Sequence, residues 1–277
     1  MSLNKILVAT NLTERSDRAL ARAFQLKPDA LTLLHVVPAG LPPEVAAEQQ
    51  KAAEAFLAHR LRYETPEGAS DRSHTVLTGS AFSTIIAEAI SDAAELIIIG
   101  KPGTHPYSEL FVGTTAERVI RFSDRPVLMV KQAESGPYRR VLVAFDGSEG
   151  AVRALQMAVA IAPDAEFRVV HAWWAPQVPL GDLEAVRQAI DQENERIKKL
   201  IANAARQAIA KCGGSPKVVI DLVEDNPYIV IANQSSWADL LAMGTHSKGL
   251  LASTVSIGKL ARHLLIEASC DVLTSRP

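Results

Sequence analysis

The sequence predicts an α/β protein built from two similar doubly wound domains, and three observations carry that expectation. Short apolar runs alternate with stretches of helical length, the pattern of a parallel sheet with helices on both faces. The alternation begins again after Glu134-Ser135-Gly136-Pro137, with related segments in the same order. The run Leu96-Ile97-Ile98-Ile99 is apolar without alternation and ends on Gly100, as a strand buried on both faces should.

Taken in order, Lys5 to Thr10 reads as a strand, and Asn11-Leu12-Thr13 turns the chain into a helix from Arg15 to Gln25 with Ala19, Leu20, Ala23 and Phe24 on one face. Leu31 to Val37 is a second strand, stopped by Pro38, and an Ala-rich helix runs from about Pro43 to Tyr63. His74 to Thr78, Glu95 to Ile99 and Pro126 to Lys131 are the remaining strands of this half; Phe82 to Ser91 and Thr114 to Phe122 are its remaining helices.

The expected domains are residues 1–133 and 138–277, because the second half repeats the first segment by segment. Arg140 to Asp146 repeats Lys5 to Asn11, Val169 to Trp173 repeats Leu33 to Val37, Ala238 to Gly244 repeats Ala94 to Gly100, and Cys270 to Leu273 repeats Arg125 to Leu128. The second half's long helix, about Gly181 to Lys211, carries an apolar stripe from Leu183 to Ala208 that reads as core.

Composition narrows the function classes. With 277 residues, 48% of them hydrophobic and 22% charged, the chain can bury a core, and a formal charge of -2 gives no electrostatic reason to expect nucleic acid. No apolar run approaches the ~20 residues that span a bilayer, and Met1 to Thr10 passes directly into a strand, so the expected location is cytoplasmic, with no membrane partner. Cys212 and Cys270 are far apart and have no metal-ligand spacing; they read as buried or incidental thiols. No Ser-His-Asp order, carboxylate pair or HExxH motif nominates a catalytic centre.

The binding chemistry concentrates after the fourth strand. Gly100 and Gly103 permit backbone angles that a side chain forbids, and Gly113-Thr114 opens a helix whose first amides lack intrahelical partners. Two turn glycines and a helix N-terminus, spaced glycine, two residues, glycine, nine residues, glycine, threonine, fit around a phosphate group. Thr114-x-x-Glu117 is also an ordinary capping box, Asp146 and Ser148 are ordinary caps, and His35 and His171 at strand ends fit structural roles. Lys101 and His105 are candidate phosphate neighbours or solvated loop residues; Trp173 and Trp174 read as core.

Two such repeats, with Asp146-Gly147-Ser148 after a first strand, Leu34-His35-Val36 in a second, and the Gly100, Gly103, Gly113, Thr114 loop, closely resemble the universal stress protein family in its tandem form. The resemblance covers nearly the whole chain. It implies a five-stranded sheet in each domain, ordered 3-2-1-4-5, with ATP in the crevice where strands 1 and 4 diverge. It further implies that Asn11 or Asp146 contacts the nucleoside, that Val36 lies beside the adenine, and that the glycine loop, with Gly244 and Gly258 as its second-half counterparts, holds ribose and phosphates. Whether Mg accompanies the ATP stays open. Family members bury terminal strands by antiparallel pairing across a two-fold, so Val127 to Lys131 and Val272 to Ser275 are expected to pair within the chain, with a homodimer as a further possibility.

The halves depart from the family pattern in opposite ways. The first keeps the loop but has Asn11 where Asp is usual, which trades a charged acceptor for a neutral one. The second keeps Asp146, but its loop reads Gly244-Thr245-His246-Ser247-Lys248-Gly249, and the span to Gly258 is 258 − 244 = 14 against 113 − 100 = 13. The expected function is a cytoplasmic, non-enzymatic stress-response module with adenine nucleotide favoured in the first domain. The alternatives are an ATP-hydrolysing or nucleotide-transferring enzyme of a related fold, or a tandem scaffold that binds no nucleotide.

Overall fold

The first apolar run forms strand β1 (Lys5–Thr10), and its Ile6, Leu7 and Val8 are completely buried because the sheet is covered on both faces. The computed structural model describes residues 3–64, 71–103, 114–133, 135–173, 183–245 and 257–277. Two units divide the chain. One holds residues 2–137 and, from the far end of the sequence, Asp271–Leu273; the other holds the remainder of 138–277.

In the first unit β1 is followed by α1 (Glu14–Gln25), β2 (Ala30–Pro38), α2 (Pro43–Glu64), β3 (Asp71–Gly79), α3 (Ala81–Ser91), β4 (Leu96–Gly100), α4 (Thr115–Phe122) and β5 (Val127–Val130). The hydrogen-bonded order is β3-β2-β1-β4-β5. All neighbours are parallel, with Ile6 opposite both Leu31 and Leu96 and Ile97 opposite Val127. Parallel neighbours require crossover helices, and α1 presents Ala19, Leu20 and Ala23 to the sheet, as its spacing predicts.

The second unit repeats the order with β6 (Arg140–Ala144), α5 (Glu149–Ile161), β7 (Glu166–Trp173), α6 (Leu183–Cys212), β8 (Lys217–Glu224), α7 (Pro227–Ser235), β9 (Leu240–Gly244), α8 (Lys259–Glu267) and β10 (Asp271–Ser275). Its strands run β10-β9-β6-β7-β8. The apolar stripe of α6 is core only over its C-terminal half. Ile197, Ile201, Ala204, Ala205 and Ala208 are buried, whereas Val186 and Ile190 are half-buried. Cys270 is a buried free thiol.

The expectation of a five-stranded sheet in each domain needs correction. In the hydrogen-bonded order β5 is followed by β10, whose first three residues, Asp271–Leu273, belong to the first unit. An edge strand leaves a row of amides and carbonyls unpaired, which β5, buried at every residue, cannot leave to solvent. Asp271 anchors this strand within the first unit. Its fully buried carboxylate accepts the amides of Lys131 (2.8 Å) and Gln132 (3.0 Å) and faces Arg22 Nε at 3.5 Å, with Arg22 itself buried. No helix among the described residues is long and apolar enough to cross a membrane.

Removing one partner of a buried charged pair strands the other, so Asp271→Ala should destabilise the protein by about 3–5 kcal/mol in urea unfolding. Asp271→Asn keeps an acceptor for the two amides and should cost less. Equal losses for the two variants would mean that the charge facing Arg22 is the whole of the effect.

Candidate functional site

The C-terminal ends of β1, β2 and β4 open into a cavity of about 740 Å³ in the first unit. Strand β1 ends in it with Thr10 and Asn11, β2 contributes His35 and Val36, and β4 contributes Ile99 and Gly100 followed by Lys101 to Gly103. The helix starts close it, through Arg15 and Ser16 of α1, Ala81 of α3, and Thr114 to Ala116 at the head of α4. The parallel register aligns the strand ends: Thr10 lies opposite His35, and Ala9 opposite both Leu34 and Ile99. Parallel order with a reversal beside β1 leaves such a crevice by necessity.

Five residues singled out in the sequence, Asn11, Val36, Gly100, Gly103 and Thr114, line this one cavity. Gly113 and His105 lie outside the described residues, as does the whole loop between Gly103 and Thr114. Thr114 is the N-cap of α4, its Oγ1 accepting the Glu117 amide at 3.1 Å, so the capping function and the cavity wall coincide. Arg118, with its guanidinium 3.5 Å from the Phe82 ring centroid, fixes α4 against α3. Asn11 Oδ1 accepts the Thr13 hydroxyl at 2.7 Å, which leaves its amide N–H groups and one lone pair for a ligand. His35 Nδ1 bonds the Thr10 carbonyl at 2.9 Å, and a ring nitrogen facing a carbonyl must be the protonated one. His171 does the same at the Phe145 carbonyl, 2.7 Å away.

The glycines have a different reason from the one expected. Neither Gly100 nor Gly103 has a positive φ. Gly100 is required by close approach, since a Cβ there would sit 2.8 Å from the Arg15 carbonyl oxygen and 3.2 Å from Ser16 Cα. Helix α1 therefore begins directly on the end of β4. At Gly103 a Cβ would meet only the tip of Arg15, at 3.4 Å, an ordinary contact.

Arg15 is the residue that motif reasoning passed over. Its Nη1 donates to the Pro102 carbonyl at 3.3 Å, tying the start of α1 to the turn after β4. One turn beyond Asn11, with its backbone already on Gly100, it brings a cation to the cavity wall. Lys101, exposed at the same rim, brings another.

In the second unit the equivalent residues are arranged differently. Asp146 is exposed and its Oδ1 accepts the Ser148 amide at 2.9 Å, while Ser148 caps α5 through the Ala151 amide at 3.1 Å. Gly147 has φ +74°, and a Cβ on it would fall 2.7 Å from Ile197 Cδ1, so α6 presses on the turn after β6. Gly244 repeats the close approach of Gly100, its Cβ position lying 2.9 Å from the Ala151 amide nitrogen. Gly258 is the N-cap of α8 and its amide donates to the Thr245 carbonyl at 2.8 Å. His246, Ser247, Lys248 and Trp174 lie outside the described residues; Trp173 is half-buried and stacks on His171 with centroids 5.5 Å apart.

A sequence model described as the Universal stress protein family matches this chain twice, at residues 2–131 and 137–276. A universal stress protein of Thermus aquaticus is 32% identical over 143 residues, which is 50% of this chain and 99% of that one. Two solved structures align over nearly the whole length. A universal stress protein from Archaeoglobus fulgidus superimposes with a TM-score of 0.70 at 19% identity, covering 99% of this chain and 97% of its own. A functionally unknown protein from Pseudomonas aeruginosa gives 0.63 at 23% identity, covering 100% and 93%. At these identities the two structures establish the fold.

The two loop glycines should therefore behave oppositely when given a methyl group. Gly100→Ala should cost about 1–3 kcal/mol of stability because backbone, not a pliable side-chain tip, blocks the added Cβ. Gly103→Ala should change stability by less than about 0.5 kcal/mol. Denaturant midpoints of the two variants check this directly.

Proposed function

The chain belongs to the universal stress protein family, and from that premise we propose that it is a nucleotide-binding regulatory module whose first domain, residues 1–133, takes an adenine nucleotide. The observation that carries this reading is the convergence of Asn11, Val36, Gly100, Gly103 and Thr114 on one cavity. At about 740 Å³ the cavity lies within the range of small-molecule sites. Its wall divides by chemistry. Leu34, Val36, Ile85 and Ile99 offer apolar surface to a base, Asn11 offers N–H donors and an acceptor, and the start of α4 with Arg15 and Lys101 offers amides and cations to phosphates.

ATP is the nucleotide this gradient suits best, since its charge lies on the phosphates while its base is largely apolar on the faces. The second domain, residues 138–277, is proposed as the structural or regulatory copy, because Ile197 of α6 packs on the turn that would meet a nucleoside. The reading is of a binding module rather than an enzyme, working in the cytoplasm. Among the described lining residues Glu14 is the one carboxylate, and it is exposed on the first turn of α1.

Calorimetry of the full chain with ATP tests the proposal. Binding in the micromolar range is expected, with Val36→Trp weakening it at least about tenfold by filling the space for the base. Asp146→Ala should leave the affinity within about twofold, since one lost surface contact in an unoccupied copy contributes nothing. If Asp146→Ala removes binding and Val36→Trp does not, the nucleotide belongs to the second domain. Steady turnover of ATP at about 1 per second or faster would replace the module with an enzyme.

A further inference from the structure

We propose that the outer edge of β8 is a self-pairing surface, on which a second copy of this chain lays its own β8 antiparallel. The strand stands at the end of the second unit's hydrogen-bonded order and is paired on one side by β7, from Lys217 to Glu224. Among the described residues its other side pairs with no strand. An open edge presents unmatched amides and carbonyls, and proteins blunt such edges with proline, bulges, shortness or charge. β8 has little of this protection. It runs eight residues in unbroken register without proline or glycine, and Val218, Val219, Ile220, Leu222 and Val223 are apolar. None of the eight is fully buried, and Val219 is 38% exposed.

The equivalent strand of the first unit is made differently. β3 opens with Asp71-Arg72-Ser73-His74, and α2 packs against it, whereas α6 lies chiefly against α5. The second unit has left apolar an edge that the first has made polar.

The residues of β8 also specify what fits the edge. Successive side chains of a strand alternate between faces, so Lys217, Val219 and Asp221 share one face and Val218, Ile220 and Leu222 the other. The charged face is marked by Arg168 Nε, 3.7 Å from Asp221 Oδ2, and by Glu166 Oε1, 3.7 Å from Lys217 Nζ. An antiparallel pair of identical strands has its two-fold axis normal to the sheet, which keeps each face continuous, so opposed residues must come from the same face. With the axis at Val219, Lys217 of each copy lies opposite Asp221 of the other, Val219 opposite Val219, and Val218 opposite Ile220. Moving the axis to Asp221 sets two carboxylates against each other, and moving it to Ile220 sets each Asp221 against a valine. Of the registers centred on this strand, the one at Val219 matches opposite charges and apolar pairs together. Asp221 keeps lone pairs for a second cation beside Arg168. Lys217 and Asp221 are solvated, so their pairing fixes register and partner, and main-chain bonds with the apolar pairs supply the strength.

Sedimentation equilibrium of the full chain without nucleotide tests the surface. A reversible dimer is expected, with a dissociation constant of about 10–100 µM. Val219→Lys opposes two ammonium groups on the axis and should weaken dimerisation at least about tenfold; Lys217→Glu opposes carboxylates and should act in the same direction. Both positions are exposed, so the melting temperature of the monomer should move little, which separates lost pairing from lost fold. Cross-linking reads the register. In a chain carrying Cys212→Ser, with Cys270 buried, Val219→Cys should form an intermolecular disulfide on mild oxidation. Val223→Cys, roughly 27 Å from its counterpart in this register, should not. A chain that stays monomeric to about 200 µM leaves the edge to some other occupant and overturns the proposal, as does a dimer indifferent to both Val219→Lys and Lys217→Glu. Cross-linking through Val223→Cys and not through Val219→Cys overturns it as well.

Discussion

At the strand ends of the first unit the start of α1 lies directly against the end of β4, and the arrangement of that end depends on it. Gly100 has no Cβ, so the carbonyl of Arg15 can lie where a methyl group would be. The first turn of α1 then divides the strand ends into two recesses, the larger over β1, β2 and β4 and the smaller beside β4 and β5. Arg15 stands on the dividing line and lines both. A glycine that reads in the sequence as a phosphate-loop residue is thus first a packing residue, and whatever binding the end supports is built around that contact.

Most of the fold was legible because it rests on periodicity. The alternation of apolar runs and helical faces located every strand but β8, whose half-exposed residues form no long apolar run, and the buried runs Leu96 to Ile99 and Leu240 to Met243 are central strands, as unbroken apolar runs should be. The order within each half followed from resemblance, not from periodicity, which carries no information about which strands are neighbours. What composition and spacing could not show was how the start of β10 is held in the first unit. Asp271 reads as a polar residue opening a last strand, and nothing local reveals that its carboxylate will be wholly buried against two amides and Arg22. The site was legible in part for the same reason. Glycines and a threonine at fixed spacing signal a loop, whereas Arg15 and Arg18 look like ordinary exposed positions of an amphipathic helix until the fold brings Val130 and Lys131 beside them.

The two copies show how one backbone solution is reached with different residues. The residue that follows Asn11 in one copy and Asp146 in the other adopts a left-handed conformation, Leu12 at φ 62° and Gly147 at φ 74°. Glycine takes that angle without penalty, whereas leucine gives up roughly 1–2 kcal/mol. The turn is therefore imposed by its surroundings in the first copy, where Thr10 Oγ1 accepts the Leu12 amide at 3.0 Å. In the second copy the missing side chain makes room for Ile197 of α6. The same position that strains the first turn lets a helix close over the second.

Asn11 gains a meaning from these surroundings that it lacks in isolation. Viewed as a replacement for aspartate, it loses a charged acceptor. Viewed beside Arg15 and Lys101, which line the same cavity, it adds no negative charge to the wall that they share. At an effective dielectric constant of about 40, a carboxylate about 8 Å from a phosphate charge opposes it by about 1 kcal/mol per unit charge. A neutral Asn11 removes that repulsion for each phosphate charge while keeping N–H donors available to a sugar or base. For a ligand of several negative charges the two effects are of similar size and opposite sign. Under the proposed nucleotide reading, the exchange favours more highly phosphorylated ligands, in keeping with the cations at the start of α1.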